Sequence, residues 1–402
     1  MSEFIAGLFR LEITPLALLA CAAWVYLVRG RAGFWQADQW LEPVAEPPAR
    51  WPSVAAIIPA RDEAETVGRT VASLLAQDYP GSLTVTVVDD GSTDGTADAA
   101  RAAAATQNGT DPRLTVIEGK PLPRGWTGKL WALSQGIDAA TADRSALPDY
   151  LLLTDADIAY RPGALAKIAG RAAADKMQFV SLMARLDARG PWGRLLIPAF
   201  IYFFQLIYPF RRANDPLDAL SAAAGGCFLI RRAGLENTGG IATVRDAIID
   251  DCALAWRLKH TEVGLRTLTA LTHDVHSLRD NRSLGSIWNM VARTAFTQLG
   301  CSYLALAGAL AGLALTFVVP VWAVAAWLLC EAPGYAALLG LLAWAAMART
   351  YWPTLRLYGI AWPWAFSLPA ATVLYGAMTL TSALRHLRGT GARWKGRSYP
   401  AA

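Results

Sequence analysis

The chain has 402 residues, of which 54% are hydrophobic, and its mean hydropathy is +0.28. These values are high for an entirely soluble protein, so part of the chain is expected to lie in a membrane. The net charge of +5 is not gathered into a basic stripe with interleaved aromatic residues, which argues against nucleic-acid binding. The five cysteines are scattered without metal-type spacing and predict buried side chains in a reducing compartment.

Residues 1–50 are predicted to form an N-terminal membrane anchor and linker. The apolar run from Leu11 to Val28 is flanked by Arg10 on one side and by Arg29 and Arg31 on the other. It lacks a basic n-region and a clear small-x-small cleavage site, so an uncleaved anchor is favoured over a signal peptide. The two arginines that follow the run favour a cytoplasmic position for the next region.

Residues 51–300 alternate short β-rich runs with helical patterns. This alternation predicts an α/β fold with a mostly parallel sheet covered by helices. Four strands are predicted in the first half of the region: Val54–Ile58, Leu83–Val88, Leu114–Ile117 and Tyr150–Thr154.

The strand Tyr150–Thr154 ends in two carboxylates, Asp155 and Asp157, separated by one small residue. In an open α/β sheet the ligand crevice lies outside the carboxyl ends of the strands. Mg²⁺ and Mn²⁺ prefer oxygen ligands and usually bind through one or two carboxylates together with substrate phosphates. The pattern therefore indicates a metal–phosphate site, although an Asp-x-Asp turn or helix cap has the same sequence.

A second acidic group, Asp89 and Asp90, follows the strand Leu83–Val88 and leads into a Gly-Ser-Thr-Asp-Gly segment. A carboxylate at a strand end can accept hydrogen bonds from a base N–H or a ribose hydroxyl. The alternative is an ordinary turn followed by a helix N-cap.

The chain carries, in this order, the segments Val54–Glu63, Val87–Asp94, Gly125–Lys129 and Thr154–Asp157. In this order they resemble the family-2 inverting glycosyltransferases with a GT-A fold. The resemblance covers roughly Ser53 to Gly300. The flanking apolar runs and the tail segment Trp394–Arg397 look like the membrane-bound, ceramide-glucosyltransferase-like branch, and within it the hopanoid-associated glycosyltransferases.

This resemblance implies a nucleotide-sugar donor, expected to be a UDP-sugar. Pro59, Glu63 and Asp90 would line the uridine pocket, with Asp89 as the less favoured partner at that corner. Lys129 would lie near the nucleotide-sugar, unless it is a solvated lysine in the first turn of a helix.

By the same resemblance, Asp155 and Asp157 would hold Mg²⁺ or Mn²⁺ against the diphosphate. An inverting transferase also needs a general base for the acceptor hydroxyl. The resemblance assigns that role to Asp251, with Asp250 in place of the usual Glu. Like-charge repulsion between adjacent carboxylates raises one pKa, which suits a base, whereas the alternative is a helix N-cap followed by an acid.

Two features leave the acceptor side open. The family's Gln-x-x-Arg-Trp segment has its nearest match in residues 290–294, which keep Arg293 but neither flanking residue. Arg293 is expected to offset charge on the leaving diphosphate. Gly225 begins a segment that resembles the family's acceptor side and is equally well explained as a strand edge.

His273 and His276 would share one face if they lay on a helix, a spacing that can bind a metal, but no third ligand is evident.

The C-terminal part is predicted to be a membrane region, 301–384, followed by a basic cytoplasmic tail, 385–402. The membrane region supplies one full span, Tyr303–Leu329, and a shorter one, Ala332–Ala348. A third run, Ile360–Leu384, contains two prolines that require a kink or a re-entrant shape.

Together these observations predict a multi-pass enzyme of the inner (cytoplasmic) membrane, with its catalytic domain in the cytoplasm. It would transfer a sugar from a nucleotide-sugar to a hydroxyl of a membrane lipid, which the resemblance implies to be a hopanoid. The alternatives are a processive polysaccharide synthase and a catalytically inactive, membrane-anchored nucleotide-binding module.

Overall fold

The computed structural model describes residues 2–106, 109–261, 264–330, 332–389, 393–394 and 397–398. Two compact units divide the chain. The unit that we call the helical unit contains Met1–Ala37, Ala188–Pro209 and Asn281–Gly391, and the sheet unit contains Asp38–Asp187, Phe210–Asp280 and Ala392–Ala402.

An eight-stranded sheet forms the centre of the sheet unit, with the spatial order β3-β2-β1-β4-β7-β6-β8-β5. Its strands are β1 (Val54–Ala60), β2 (Leu83–Asp89), β3 (Leu114–Glu118), β4 (Tyr150–Thr154), β5 (Ile158–Tyr160), β6 (Phe179–Arg185), β7 (Cys227–Arg231) and β8 (Thr267–Ser277). Two-residue ladders join 105–106 to 109–110 and 393–394 to 397–398.

The sheet is mixed, so the expectation of a mostly parallel sheet holds for its first four strands. Strands β3, β2, β1 and β4 pair in parallel, as do β6 and β8, whereas β7 runs antiparallel to β4 and β6 and β5 runs antiparallel to β8. Thr154, the last residue of β4, pairs with Cys227, the first of β7. The antiparallel strand therefore starts at the carboxyl edge of the parallel strands, beside Asp155.

The helices, in chain order, are α1 (Ser2–Arg29), α2 (Val67–Leu75), α3 (Thr96–Ala102), α4 (Gly128–Ala140), α5 (Ala164–Ala174), α6 (Gly190–Ile207), α7 (Phe210–Ala213), α8 (Arg232–Asn237), α9 (Asp250–His260), α10 (Leu284–Ala292), α11 (Ala295–Gln298), α12 (Tyr303–Leu313), α13 (Val319–Cys330), α14 (Gly334–Leu357) and α15 (Leu368–Leu387).

The continuous apolar sequence of β1 is explained by burial on both faces of the sheet. Ala56 and Ile58 belong to one hydrophobic cluster, which also contains residues of α2 and α5. Ala55 and Ile57 belong to a second cluster on the opposite face, with residues of α4 and α9. Because alternate residues of a strand point to opposite faces, both must be apolar here.

Helix α4 lies very close to β1, and a glycine makes this approach possible. A Cβ atom added to Gly136 would stand 2.4 Å from the Ile57 Cγ2 atom and 3.0 Å from the Val88 Cγ2 atom. The first turn of the same helix carries Lys129. The contact at Gly136 therefore helps to fix the height of Lys129 above the sheet.

The helical unit contains α1, α6 and α10–α15. Helices α12 and α13 are joined by a π-helical segment, Ala314–Val318, and this continuous helix is the one described element long and apolar enough to cross a membrane, over Tyr303–Leu329. Ile13–Arg29 is a shorter apolar helix. Inside the unit, the Trp24 indole donates a hydrogen bond of 2.8 Å to the Thr316 carbonyl.

The two prolines of the third apolar run lie at helix starts. Pro363 is in the first turn of a 3₁₀ helix, Trp362–Ser367, and Pro369 is in the first turn of α15. A first-turn N–H has no intrahelical partner, so proline is tolerated there without a kink. Of the predicted tail 385–402, residues 390–392, 395–396 and 399–402 lie outside the described residues.

Replacing Gly136 with Ala should lower the free energy of unfolding by about 1–3 kcal/mol, because the added methyl group overpacks the α4–β1 contact. Thermal unfolding of the purified protein in detergent measures the change. The matched control is Gly285→Ala on α10, where nothing lies within 4 Å of the added atom. That substitution should leave stability unchanged or raise it by up to about 1 kcal/mol, and equal effects of the two would contradict the close contact.

Candidate active site

The predicted nucleotide corner lies where β1 and β2 end side by side. The register pairs Ala60 with Asp89, the last residues of the two strands. The Asp89 carboxylate accepts hydrogen bonds from the backbone N–H and the hydroxyl of Ser92. It therefore stabilises its own turn, as the turn alternative predicts.

Asp90 is almost fully buried, with 2% of its surface exposed. Its N–H donates to the Ala60 carbonyl over 2.8 Å, and its carboxylate lies 3.8 Å from the Arg61 guanidinium. Asp90 thus belongs to the floor of this corner, and its role as a partner of the base stays a prediction.

Glu63 and Asp157 are joined by an arginine that the sequence reasoning did not select. Arg279 donates from Nε to Asp157 Oδ2 over 2.5 Å and from Nη2 to Glu63 Oε1 over 3.0 Å. The Ser277 hydroxyl also donates to the Asp157 carboxylate, and the Leu278 N–H donates to the Asp157 backbone carbonyl. Burial, opposed by Arg279 and reinforced by the neighbouring Asp155, raises the pKa of Asp157.

Lys129 bridges two carboxylates from different elements. Its Nζ atom is 3.0 Å from Asp155 Oδ1 and 3.2 Å from Asp250 Oδ2. Burial opposes the positive charge, but Asp155, Asp250 and Asp251 outweigh it and raise the pKa of Lys129. With 20% of its side chain exposed, Lys129 is not the solvated lysine of the alternative interpretation.

Asp250 and Asp251 form the first turn of α9, where the helix dipole favours acids. The Asp251 carboxylate accepts the Gly225 N–H at 2.7 Å and the Cys252 N–H at 2.8 Å. Burial first, and then the charge of Asp250, raise the pKa of Asp251 to about 6, although Lys129 and these two N–H groups favour the ionised form. The predicted repulsion between the two acids is therefore present.

A cleft brings Lys129 together with Asp155, Asp250 and Asp251. It encloses about 310 Å³, part of it open to solvent. The charged side chains at its wall are Lys129, Asp155, Asp250 and Asp251, and Thr154 and apolar side chains of β4, β7, α4 and α9 also line it. Pro59 and Gly225 also line the cleft.

A family profile described as Glycosyl transferase family 2 matches residues 55–239, which include β1, the Asp89–Asp90 corner, Lys129 and the Asp155–Asp157 pair. Residues 55–239 thus match the profile of a family-2 glycosyltransferase domain. The protein is accordingly a glycosyltransferase, and the cleft is its candidate active site.

Solved structures of glycosyltransferases resemble the chain at low sequence identity. The mannosyltransferase PcManGT from Pyrobaculum calidifontis, solved with GDP-Man and Mn²⁺, is 21% identical, with a TM-score of 0.53 over 93% of this chain and 99% of that one. This likeness supports a GT-A-like fold. A search of curated proteins found no significant match.

Two further solved structures resemble this chain less closely. Glucosyl-3-phosphoglycerate synthase from Mycobacterium tuberculosis, with Mn²⁺ and UDP-glucose, is 17% identical, with a TM-score of 0.38 over 62% of this chain and 79% of that one. Mannosyl-3-phosphoglycerate synthase from Rubrobacter xylanophilus is 19% identical, with a TM-score of 0.35 over 63% and 76%. These scores are too low to establish a shared fold.

The aspartate pair of the glycosyltransferase fits a hard divalent cation. Asp155 and Asp157 flank one residue at the end of β4, and each already faces a cationic side chain, Lys129 or Arg279. The described residues hold no group of three or more His, Cys, Asp or Glu side chains suited to a metal. Two carboxylates therefore fit a cation that takes its other ligands from phosphate oxygens and water.

The interpretation of His273 and His276 as a helical metal pair is wrong. Both lie on β8, so the helical spacing does not apply. The His273 ring packs on Trp40 with centroids 4.7 Å apart. The functional residue near β8 is Arg279, which lies two residues after the end of the strand. A polar residue shortly after a strand end is the sequence signal that could have identified it.

Arg293 lies at the carboxyl end of α10, in the helical unit, with an exposed side chain. Its expected contact with the leaving group stays a prediction.

Replacing Arg279 with Gln should leave the buried Asp157 without its counter-ion. We expect a loss of about 1 kcal/mol in the free energy of unfolding, a modest value because the Arg279 side chain is 48% exposed. Mn²⁺ should raise the melting temperature of the variant more than that of the wild type, because the cation replaces the missing positive charge.

The control is Arg101→Gln, which removes an exposed ion pair with Asp98. It should change neither the melting temperature nor the response to Mn²⁺. An equal Mn²⁺ response in the Arg279 variant and the wild type would contradict the coupling of Arg279 to the aspartate pair.

Proposed function

We propose that the glycosyltransferase is an inverting enzyme that moves a sugar from a nucleotide-sugar to a hydroxyl of a membrane lipid. One observation carries the proposal: the cleft holds Asp251, a carboxylate with its pKa raised to about 6, in the same wall as Asp155. A base and a diphosphate anchor in one cleft are what a direct displacement at an anomeric carbon requires.

On the donor side, Pro59, Glu63 and Asp90 are assigned to the nucleoside, and Asp155 and Asp157 to the metal that faces the diphosphate. Mg²⁺ or Mn²⁺, when bound, supplies positive charge to the phosphate oxygens. Lys129 adds an ammonium group beside Asp155, which offsets negative charge as it develops on the leaving nucleoside diphosphate. Arg293 is also assigned to offset negative charge on the leaving nucleoside diphosphate.

On the acceptor side, Asp251 removes the proton from the acceptor hydroxyl as the oxygen attacks the anomeric carbon. The new carbon–oxygen bond forms as the bond to the diphosphate breaks on the opposite side, which inverts the anomeric configuration. Asp250 supports this chemistry because its charge raises the pKa of Asp251. Two neighbouring acids thus differ in role: Asp250 pairs with Lys129 and Asp251 takes the proton.

A lipid acceptor is supported by the helical unit. The window over Tyr303–Leu329 is 22% buried, and large apolar side chains such as Leu304 and Leu329 are more than 80% exposed. Exposed apolar surface of this extent is suited to a bilayer. We accordingly propose a multi-pass protein of the cytoplasmic membrane with the sheet unit in the cytoplasm, and a hopanoid-type lipid as the acceptor.

The nucleotide is proposed to be UDP on the sequence resemblance. The mannosyltransferase PcManGT was solved with GDP-Man, so a donor test has to include both nucleotides.

The function is tested by incubating membranes that carry the protein with UDP- and GDP-linked hexoses, Mn²⁺ and a total lipid extract containing hopanoids. A new glycolipid should appear by mass spectrometry. Asp251→Asn should abolish its formation, because the amide cannot accept the proton, while nucleotide binding stays near the wild-type level.

Asp143→Asn is the matched control, since Asp143 is an exposed acid that caps its own turn. It should retain full transfer. Full transfer by the Asp251 variant would remove Asp251 from the base role, and a glycosylated polymer in place of a lipid would favour a processive synthase.

The raised pKa of Asp251 also predicts a pH dependence. The base acts when ionised, so kcat/KM should fall about tenfold per pH unit below roughly pH 6 and level off above it. Initial rates at subsaturating donor between pH 4.5 and 8 measure this limb. A midpoint near pH 4, the ordinary range of an exposed aspartate, would contradict the assignment.

A further inference from the structure

Three buried hydroxyl groups hold the short segment from Ala224 to Gly226, which precedes β7. Ser181 Oγ accepts the Ala224 N–H at 2.7 Å and donates to the Ala224 carbonyl at 3.1 Å. Thr154 Oγ1 donates to the Gly226 carbonyl at 2.8 Å. Tyr160 donates its hydroxyl proton to Thr154 Oγ1, also at 2.8 Å.

The Gly226 carbonyl can only accept, and this fixes the direction of both bonds of Thr154. A threonine hydroxyl has one proton, so Thr154, which donates it to Gly226, can only accept from Tyr160. Ser181, Thr154 and Tyr160 are exposed by 0%, 1% and 4%, so water does not compete for these bonds.

The Gly225 N–H belongs to the same peptide as the Ala224 carbonyl that accepts from Ser181, and it points at Asp251 Oδ2 from 2.7 Å. Ser181 binds this peptide directly and Thr154 holds the chain at the Gly226 carbonyl, so this N–H is fixed in direction before any substrate binds. Space also favours glycine here: a Cβ atom on Gly225 would lie 3.2 Å from the Lys129 ammonium and 3.3 Å from the Asp251 carboxylate.

We propose that Ser181, Thr154 and Tyr160 are positioning residues for the reaction: they orient the Gly225 N–H, which holds Asp251 in the geometry of the base. The proposal rests on the proposed function, in which Asp251 takes the proton of the acceptor hydroxyl.

The arrangement has an electrostatic consequence beyond support of the fold. A backbone N–H that donates to a carboxylate favours the ionised form and lowers its pKa. Around Asp251 this N–H acts together with Lys129 and the Cys252 N–H, against burial and Asp250. If the segment loosens, the donor is weakened and the pKa of Asp251 rises further.

The test compares pH profiles of kcat/KM for Ser181→Ala, Thr154→Val and Tyr160→Phe, followed as release of UDP or GDP from the donor that the wild type uses. In Ser181→Ala and Thr154→Val the acid midpoint should move upward by about 0.5–1 pH unit, the effect of weakening one donor to a charged group. Tyr160→Phe should give a smaller shift in the same direction. Thr154→Ser keeps the hydroxyl and should restore the wild-type midpoint.

The matched controls are Tyr150→Phe and Thr267→Val, which remove buried hydroxyls that donate to carbonyls elsewhere in the sheet unit. Their midpoints should equal that of the wild type, even where the melting temperature falls. Mn²⁺-dependent binding of UDP or GDP should stay within about twofold of the wild type in every variant, because the donor side keeps its contacts.

Unshifted midpoints in both Ser181→Ala and Thr154→Val would overturn the proposal, as would equal shifts in the controls. Ser181→Ala deletes one oxygen and lies away from Asp155, so it remains informative if Thr154→Val does not fold. Transfer that survives Asp251→Asn in the otherwise wild-type protein would refute the proposed function itself, and the two failures are therefore distinguishable.

Discussion

Concentrated negative charge at the carboxyl edge of the sheet is the constraint on which the site depends. Glu63, Asp155, Asp157, Asp250 and Asp251 come from three separate stretches of chain and meet around two cationic side chains. Neighbouring carboxylates in a protein interior are not all ionised unless positive groups lie beside them. Lys129 forms ion pairs with Asp155 and Asp250. Arg279 forms ion pairs with Asp157 and Glu63.

This division separates the roles of the acids. Asp155 and Asp157 face cationic groups that a divalent ion and a diphosphate can join or replace, so that side of the site suits the donor. Asp251 accepts two backbone N–H groups, and burial first and then the charge of Asp250 keep its pKa raised, which suits it to proton transfer. The difference arises from the surroundings of the acids, since the residue type is the same.

Close backbone approach makes this charge arrangement possible. Gly136 lets α4 lie near β1 and so places Lys129 above the strand ends, and Gly225 lets the chain pass between Lys129 and Asp251. Both glycines have ordinary backbone angles, so it is the missing Cβ atom that matters. A side chain at either position would move a charged group out of the cluster.

The sequence by itself determined the strands β1 to β4, the acids at their ends and the pair at the start of α9, because these signals are local: apolar runs, turn residues and acids in fixed order. Tertiary structure decided which of them meet. Arg279 lies 122 residues from Asp157 and 216 from Glu63, and no local pattern joins residues so far apart. The antiparallel insertion of β7 beside β4 likewise brings Gly225 to Asp251, since strand direction is set by pairing across the sheet and not by the strand's own residues.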